Sequence, residues 1–165
     1  MIKAHEGFRS VAYPDPGSRD GKPWTIGYGH TKGVKKGDIV TKAQATEFLR
    51  QDVRNAENYV SKKVTVQINQ NQFDALVSFA FNVGNGAFGR STLLKRINAN
   101  RFSEVPVQFA RWNKNDGRVM KGLTKRRKAE SDLFMSPMRT VVKTQRTAAK
   151  RTWWQKFKKR FKIST

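Results

Sequence analysis

Apolar side chains recur at three- and four-residue steps through the middle of the chain, which is the spacing of one face of an α-helix. Phe residues cluster between residues 73 and 88, and the helical spacing at the start of this segment predicts a buried central helix. A core helix explains the stripe without a cofactor site. Its apolar positions are Phe73, Leu76, Val77, Ala80 and Phe81.

A second long helix is predicted before the central one. Thr41 and Gln44 have the spacing of a capping box, and apolar residues follow at helical steps up to Val60. Shorter helices are predicted over residues 91–97, 103–112 and 123–134. A loop between the central helix and the next is predicted from the glycines at Gly84, Gly86 and Gly89.

Near the N-terminus the pattern changes to short extended segments. Residues 11–13 start a strand, residues 14–21 are dense in turn-forming types, and residues 24–28 are β-branched and aromatic, which together predict a β-hairpin. The predicted fold class is therefore α+β. It has a small β-hairpin lobe, a larger and mostly helical lobe, and a cleft between them that the long helix spans.

Acidic residues on two separate elements are the first candidates for chemistry. Glu6 ends a short N-terminal segment, and Asp15, Asp20 and Thr25 lie on the hairpin. Carboxylates that flank a cleft suit glycoside hydrolysis. The alternatives are a solvated Glu, Asp residues that cap their own turn, and a Thr present for β propensity. A calcium loop is disfavoured, because the ligand spacing is absent and Arg19 intervenes.

Three blocks of sequence then resemble the phage-type lysozymes (endolysins, glycoside hydrolase family 24). The first comprises residues 6–9, 12–15 and 25–31, the second residues 69–84, and the third residues 122–134 with Arg126, Arg127 and Glu130. They occur in the order found in the family. The resemblance implies a lysozyme-like fold, with one muramidase domain over residues 1–137.

The resemblance also implies roles for individual residues. Glu6 would be the general acid, Asp15 the second carboxylate, and Thr25 a residue that helps to hold a water molecule, with the carboxyl groups roughly 6.5–9.5 Å apart as in inverting enzymes. The turn before Thr25 is four residues longer than the family pattern, so Asp20 is the alternative second carboxylate. The family also implies a longer segment before Glu6, so the chain is either naturally short or trimmed there.

Four further residues are candidates for substrate binding: Tyr28, His30, Arg126 and Arg127. For His30 we favour a structural role, in an ion pair with a helix carboxylate. The two arginines either reach the cleft and pair with Glu6 or with substrate carboxylates, or are solvated. With two His and no Cys, the sequence predicts no metal and no cofactor, and excludes a disulfide.

The charge is strongly positive and concentrated at the C-terminus. The chain has 34 basic and 12 acidic residues, and residues 138–165 contain ten of the basic ones and no acidic one. Residues 138–149 are predicted to be a basic linker, and residues 150–165 an amphipathic tail that resembles a cationic antimicrobial peptide, appended or engineered. Its candidate residues for binding an anionic surface are Trp153, Trp154, Phe157, Lys158, Lys159, Arg160 and Phe161.

The predicted function is that of a monomeric endolysin that cleaves peptidoglycan between N-acetylmuramic acid and N-acetylglucosamine. The tail would bind an anionic membrane or lipopolysaccharide. No signal peptide or membrane span is apparent, so the protein would wait in the host cytoplasm for a separate holin. The alternative is a cationic membrane- or nucleic-acid-binding protein on an inactive lysozyme-like scaffold. Any nucleic-acid binding by the first candidate would be non-specific.

Overall fold

The computed structural model describes residues 7–14 and 22–137. Three of the four residues predicted to be catalytic, Glu6, Asp15 and Asp20, lie outside the described residues. So do the linker and the tail.

The predicted hairpin is present. Strand β1 (Arg9–Pro14) pairs antiparallel with β2 (Trp24–Gly27), with Tyr13 opposite Thr25 and an irregularity in the register between Arg9 and Tyr13. Residues 38–40 border the other edge of β1, where the Ala12 N–H donates to the Asp38 carbonyl at 2.9 Å. We call residues 7–14 and 22–40 the hairpin lobe.

The predicted linking helix is also present, as α1 (Lys42–Lys63). The Thr41 side chain accepts from the Gln44 N–H, and the Gln44 side chain accepts from the Thr41 N–H, so the predicted capping box is confirmed. The helix contacts β2 on one side and the central helix on the other. Its buried face consists of Ala45, Leu49, Val53, Ala56 and Val60.

The central helix is α2 (Gln70–Val83), which begins at a second capping box formed by Asn69 and Gln72. It is buried without interruption from Ala75 to Ala80, while Phe73 and Phe81 remain partly exposed. The last helix of the described chain, α6 (Lys121–Met135), packs along it. We call residues 70–137 the helical lobe.

Two predictions about the helical lobe are wrong in detail. The segment predicted as a glycine loop contains a short helix, α3 (Asn85–Arg90). A Cβ at Gly89 would lie 2.3 Å from the Tyr59 hydroxyl, so this glycine permits close packing. The helix predicted over residues 91–97 is present as α4 (Thr92–Asn98), and Ser91 caps it.

The helix predicted over residues 103–112 is shorter. It consists of a 3₁₀ turn (Phe102–Glu104) followed by α5 (Val105–Ala110). A small hairpin that sequence reasoning missed follows, with β3 (Lys114–Asn115) paired to β4 (Arg118–Val119). Within residues 7–14 and 22–137, no helix is both long enough and apolar enough to cross a membrane.

Candidate active site

The hairpin lobe places Thr25 in a buried position in the middle of β2. The strand is held against α1 at Gly27, where φ is +66° and an added Cβ would lie 2.8 Å from the Cβ of Ala45. Only glycine adopts this backbone conformation without a steric cost at such a close approach. Thr25 is therefore carried on a backbone whose position relative to α1 is fixed.

Tyr28 is buried, and its ring centroid lies 5.5 Å from that of Phe8. The ring therefore belongs to the packing of the hairpin lobe. Its role in substrate binding stays a prediction.

His30 forms the contact with a helix carboxylate that the sequence predicted. Its Nδ1 lies 2.8 Å from Oδ2 of Asp52 on α1, and its Nε2 lies 3.0 Å from the carbonyl oxygen of Lys32. The ring also stacks on Phe48, with centroids 4.5 Å apart. Both polar partners are hydrogen-bond acceptors. These contacts attach the loop after β2 to α1.

Arg126 and Arg127 are buried, with 3% and 1% of their surface exposed, so the interpretation that they are solvated is wrong. Arg126 Nε donates to Oε1 of Glu130 at 3.3 Å, and Arg127 Nη1 lies 2.9 Å from Oε2 of the same carboxylate. The Ser78 hydroxyl also donates to Oε1, at 2.8 Å. The pairing of an arginine with Glu6 stays a prediction, because Glu6 lies outside the described residues.

Burial governs the ionisation of this cluster. It lowers the pKa of Arg127 from its ordinary value to about 10, against the opposing attraction of Glu130, so the guanidinium is still charged at neutral pH. Burial also raises the pKa of Glu130, and Arg127, Ser78 and Arg126 oppose that rise. Two guanidinium groups and one carboxylate thus share a site from which water is largely excluded.

The cluster reaches the cleft through Asn82. Arg127 Nη2 donates a hydrogen bond to Oδ1 of Asn82, near the end of α2. The guanidinium also lies over the ring of Phe79, 4.8 Å from its centroid. Because the amide oxygen is directed at Arg127, the Asn82 NH₂ group is directed away from it.

A cleft of about 400 Å³ lies between the loop after β2, α1 and the end of α2. The residues that line this cleft include amides, one aromatic ring and one cation. This combination suits a ligand rich in hydroxyl and amide groups. Sequence reasoning missed most of the residues that line the cleft. The one local signal for them was the change from apolar residues to Asn and Gly after residue 81. The lining residues are Gly29, Thr31, Lys32, Asp52, Asn55, Ala56, Ala80, Phe81, Asn82, Gly84 and Asn85.

No group of three or more His, Cys, Asp or Glu side chains that could hold a metal ion occurs in the part of the chain that the structure describes. Of the residues predicted from the sequence, the structure places Thr25, Tyr28 and His30 in the hairpin lobe, and Arg126 and Arg127 behind the cleft in the helical lobe.

Most of the chain matches known proteins. The family model described as phage lysozyme matches residues 3–130. The endolysin of Acyrthosiphon pisum secondary endosymbiont phage 1 is 41% identical over 140 residues, which cover 82% of this chain and 93% of that protein. The endolysin of Bacillus phage B103 is 43% identical over 137 residues, but the chain spans only about half (51%) of its length.

Solved structures confirm the predicted lysozyme-like α+β fold. The muramidase domain of SpmX from Asticaccaulis excentricus is similar with a TM-score of 0.72 and 40% identity, over 82% of this chain and 92% of that one. The endolysin from Escherichia coli O157:H7 phage FAHEc1 is similar with a TM-score of 0.67 and 37% identity, over 81% and 87% of the two chains.

Proposed function

The chain belongs to the phage lysozyme family, and we propose that it is an endolysin of glycoside hydrolase family 24. The substrate is peptidoglycan, and the bond cleaved is the β-1,4 link between N-acetylmuramic acid and N-acetylglucosamine. The observation that carries the proposal is the family match over residues 3–130, a span that includes every candidate catalytic residue.

The geometry of the cleft supports a sugar polymer as the ligand. Asn55, Asn82 and Asn85 supply amide donors and acceptors for hydroxyl and acetamide groups, and Phe81 supplies an apolar face. In binding sites generally, a few placed polar groups beside aromatic side chains fix the orientation of the ligand. The cleft is open, as a polymer that enters from the side requires.

In the proposed mechanism Glu6 protonates the glycosidic oxygen as the bond to C1 of the muramic acid breaks. Asp15, or Asp20 in the alternative assignment, takes a proton from the water molecule that attacks C1. Thr25 helps to hold that water. An inverting enzyme needs its two carboxyl groups roughly 6.5–9.5 Å apart, so that the water fits between the second carboxylate and the sugar.

Three single substitutions test this assignment. Glu6→Gln should reduce turnover of purified cell walls by about 10²-fold or more, because the proton donor is lost while the fold is retained. Asp15→Asn and Asp20→Asn should separate the two candidates for the second carboxylate, since only one should show a comparable loss. A folded Glu6→Gln protein with near-normal turnover would refute the mechanism.

The identity of the bond is tested by the reducing end of the products. Muramic acid at the new reducing end supports the proposal, whereas glucosamine there indicates a different glycosidase. Absence of any new reducing end with the unaltered protein would favour the alternative, a cationic binding protein on an inactive scaffold.

We further propose that residues 138–165 help the enzyme bind an outer membrane or another anionic surface, and that a separate holin otherwise gives it access to the wall from the host cytoplasm. Removal of these residues should leave hydrolysis of bare peptidoglycan unchanged and reduce killing of intact Gram-negative cells. Equal killing by both forms would contradict a membrane role for the tail.

The expected oligomeric state is a monomer, which sedimentation measures directly.

A further inference from the structure

The described lining of the cleft is nearly neutral, and Lys32 is the one cation in it. Its one carboxylate, that of Asp52, is already engaged with His30 at 2.8 Å. The remaining polar groups that line the cleft include the uncharged amides of Asn55, Asn82 and Asn85. The ammonium group of Lys32 is therefore the one positive charge among the described lining residues.

The backbone of Lys32 is held in place. Its carbonyl oxygen accepts from His30 Nε2 at 3.0 Å, and His30 is itself fixed by Asp52 and by stacking on Phe48. Gly33 follows with a φ of +75°, which reverses the chain directly after Lys32. The side chain thus begins at a fixed point on the rim of the cleft, and the residue is exposed.

No carboxylate among the described residues lies within 4 Å of the Lys32 ammonium group. A cation that pairs with no described carboxylate, on the rim of a sugar-binding cleft, can serve an anionic group of the ligand. The proposed substrate has such groups, since the muramic acid residues bear peptide stems with carboxylates. A polymer of N-acetylglucosamine alone has none.

We propose that Lys32 is a specificity-determining residue, whose ammonium group binds a carboxylate of the peptide stem beside the cleaved bond. The inference rests on the proposed function, because it names a part of the same substrate. An exposed ion pair contributes modestly, so the expected effect is a factor of about two to five in affinity. It decreases with added salt, because salt screens exposed charges.

The test pairs a change in the protein with a change in the ligand. Lys32→Gln removes the charge, and coupling methylamine to the stem carboxylates of soluble glycan strands neutralises the ligand. Dissociation constants are measured by calorimetry in a Glu6→Gln background, so that turnover does not consume the strands. Lys36→Gln is the matched control, because it removes the same charge from the same loop and does not line the cleft.

Lys32→Gln should raise the dissociation constant of the native strands by about two- to fivefold. The amidated strands should bind the unaltered and the Lys32→Gln proteins equally, and Lys36→Gln should still distinguish native from amidated strands. In the active enzyme the same substitution should raise KM and leave kcat unchanged.

Two results would overturn the inference: equal losses for Lys32→Gln and Lys36→Gln, or a Lys32→Gln protein that still distinguishes native from amidated strands. Failure of the proposed function looks different. In that case the unaltered protein releases no reducing ends, while the binding comparison still reports whether Lys32 contacts a carboxylate.

Discussion

The two lobes are stabilised in different ways. In the helical lobe, one aromatic cluster organises the interior: the ring of Phe79 makes edge contacts with Phe88, Phe109 and Trp112, at centroid distances of 5.3–6.3 Å. The hairpin lobe has few fully buried side chains. It is held by a close backbone approach at Gly27 and by the polar contacts of His30.

Because of this difference, the lobe with the densely packed interior is not the lobe that carries Thr25. A packed interior of large side chains opens rarely, whereas a lobe with few buried apolar contacts opens at a lower free energy. Thr25 lies on the hairpin lobe. The helical lobe provides the end of α2, where Asn82 meets the cleft. Substitutions in the two lobes should therefore differ in how they affect unfolding and turnover.

The largest effect is expected from Glu130→Ala in the helical lobe. The substitution leaves Arg126 and Arg127 buried without the carboxylate that they share, which should lower the free energy of unfolding by about 3–5 kcal/mol. Urea denaturation at neutral pH measures the loss. Asp132→Ala on the same helix is the control, since its pair with Lys128 is exposed and should change stability by about 0.5 kcal/mol or less. Equal losses would show that the buried cluster contributes no more than an exposed pair.

The contrast between the lobes also explains what could be predicted from the sequence. Local signals specified α1 and α2, because the capping box at Thr41 and the apolar period of both helices depend on residues close together in the chain. The β3–β4 hairpin was missed although Asp116 and Gly117, both with positive φ, are typical turn residues. Each of its strands has only two residues, too few for an alternating pattern.

The candidate site was less predictable, because its charges depend on tertiary contacts. Arg126, Arg127 and Glu130 have the three- and four-residue spacing of an ordinary solvated helix surface. Their burial follows from contacts with Ser78 and Asn82, about 50 residues earlier in the chain. Contacts this distant leave no periodic signal.

The next largest effect tests whether backbone geometry holds the hairpin lobe. Gly27→Ala introduces a Cβ 2.8 Å from that of Ala45, at a φ of +66°. Strain and displacement together should lower the free energy of unfolding by about 2–4 kcal/mol, and turnover should decrease because Thr25 moves. Gly33→Ala is the matched control, since φ is +75° but no atom lies within 4 Å of the added Cβ. Gly33→Ala should lower the free energy of unfolding by about 1–2 kcal/mol. A similar loss for the two variants would show that the close approach to Ala45 adds no steric cost.

A smaller effect is expected from Asp52→Asn, which tests the polar attachment of the hairpin lobe to α1. The amide keeps the shape of the carboxylate but removes its charge from the contact with His30. A hydrogen bond to a charged group contributes more to stability than a hydrogen bond between neutral groups. Asp52→Asn should therefore lower the free energy of unfolding by about 1–2 kcal/mol. Asp132→Asn is the exposed comparison and should lose about 0.5 kcal/mol or less. Loss of Asp52 should also raise hydrogen exchange in residues 28–34 more than in α2, and uniform changes would contradict a local attachment.

The smallest effect concerns the junction of α1 with the helical lobe, at Glu57. Burial raises the pKa of this carboxyl above its ordinary value of 4.5, Arg54 opposes the rise, and Asp74 on α2 adds to it. A carboxyl with a raised pKa binds its proton more tightly in the folded protein than in the unfolded chain. Its contribution to stability is therefore fully present below pH 4.5 and is lost as the pH rises through the folded value.

Glu57→Gln should accordingly stabilise the protein at pH 7, by about 0.5 kcal/mol because the site is half-exposed and screened by solvent. The difference should vanish near pH 4, where the protonated carboxyl and the amide are both neutral. Glu47→Gln, on the exposed face of the same helix, is the control for the loss of one negative charge. Urea denaturation at the two pH values measures both variants. A gain at pH 4 equal to that at pH 7 would show that something other than the ionisation of Glu57 stabilises the variant.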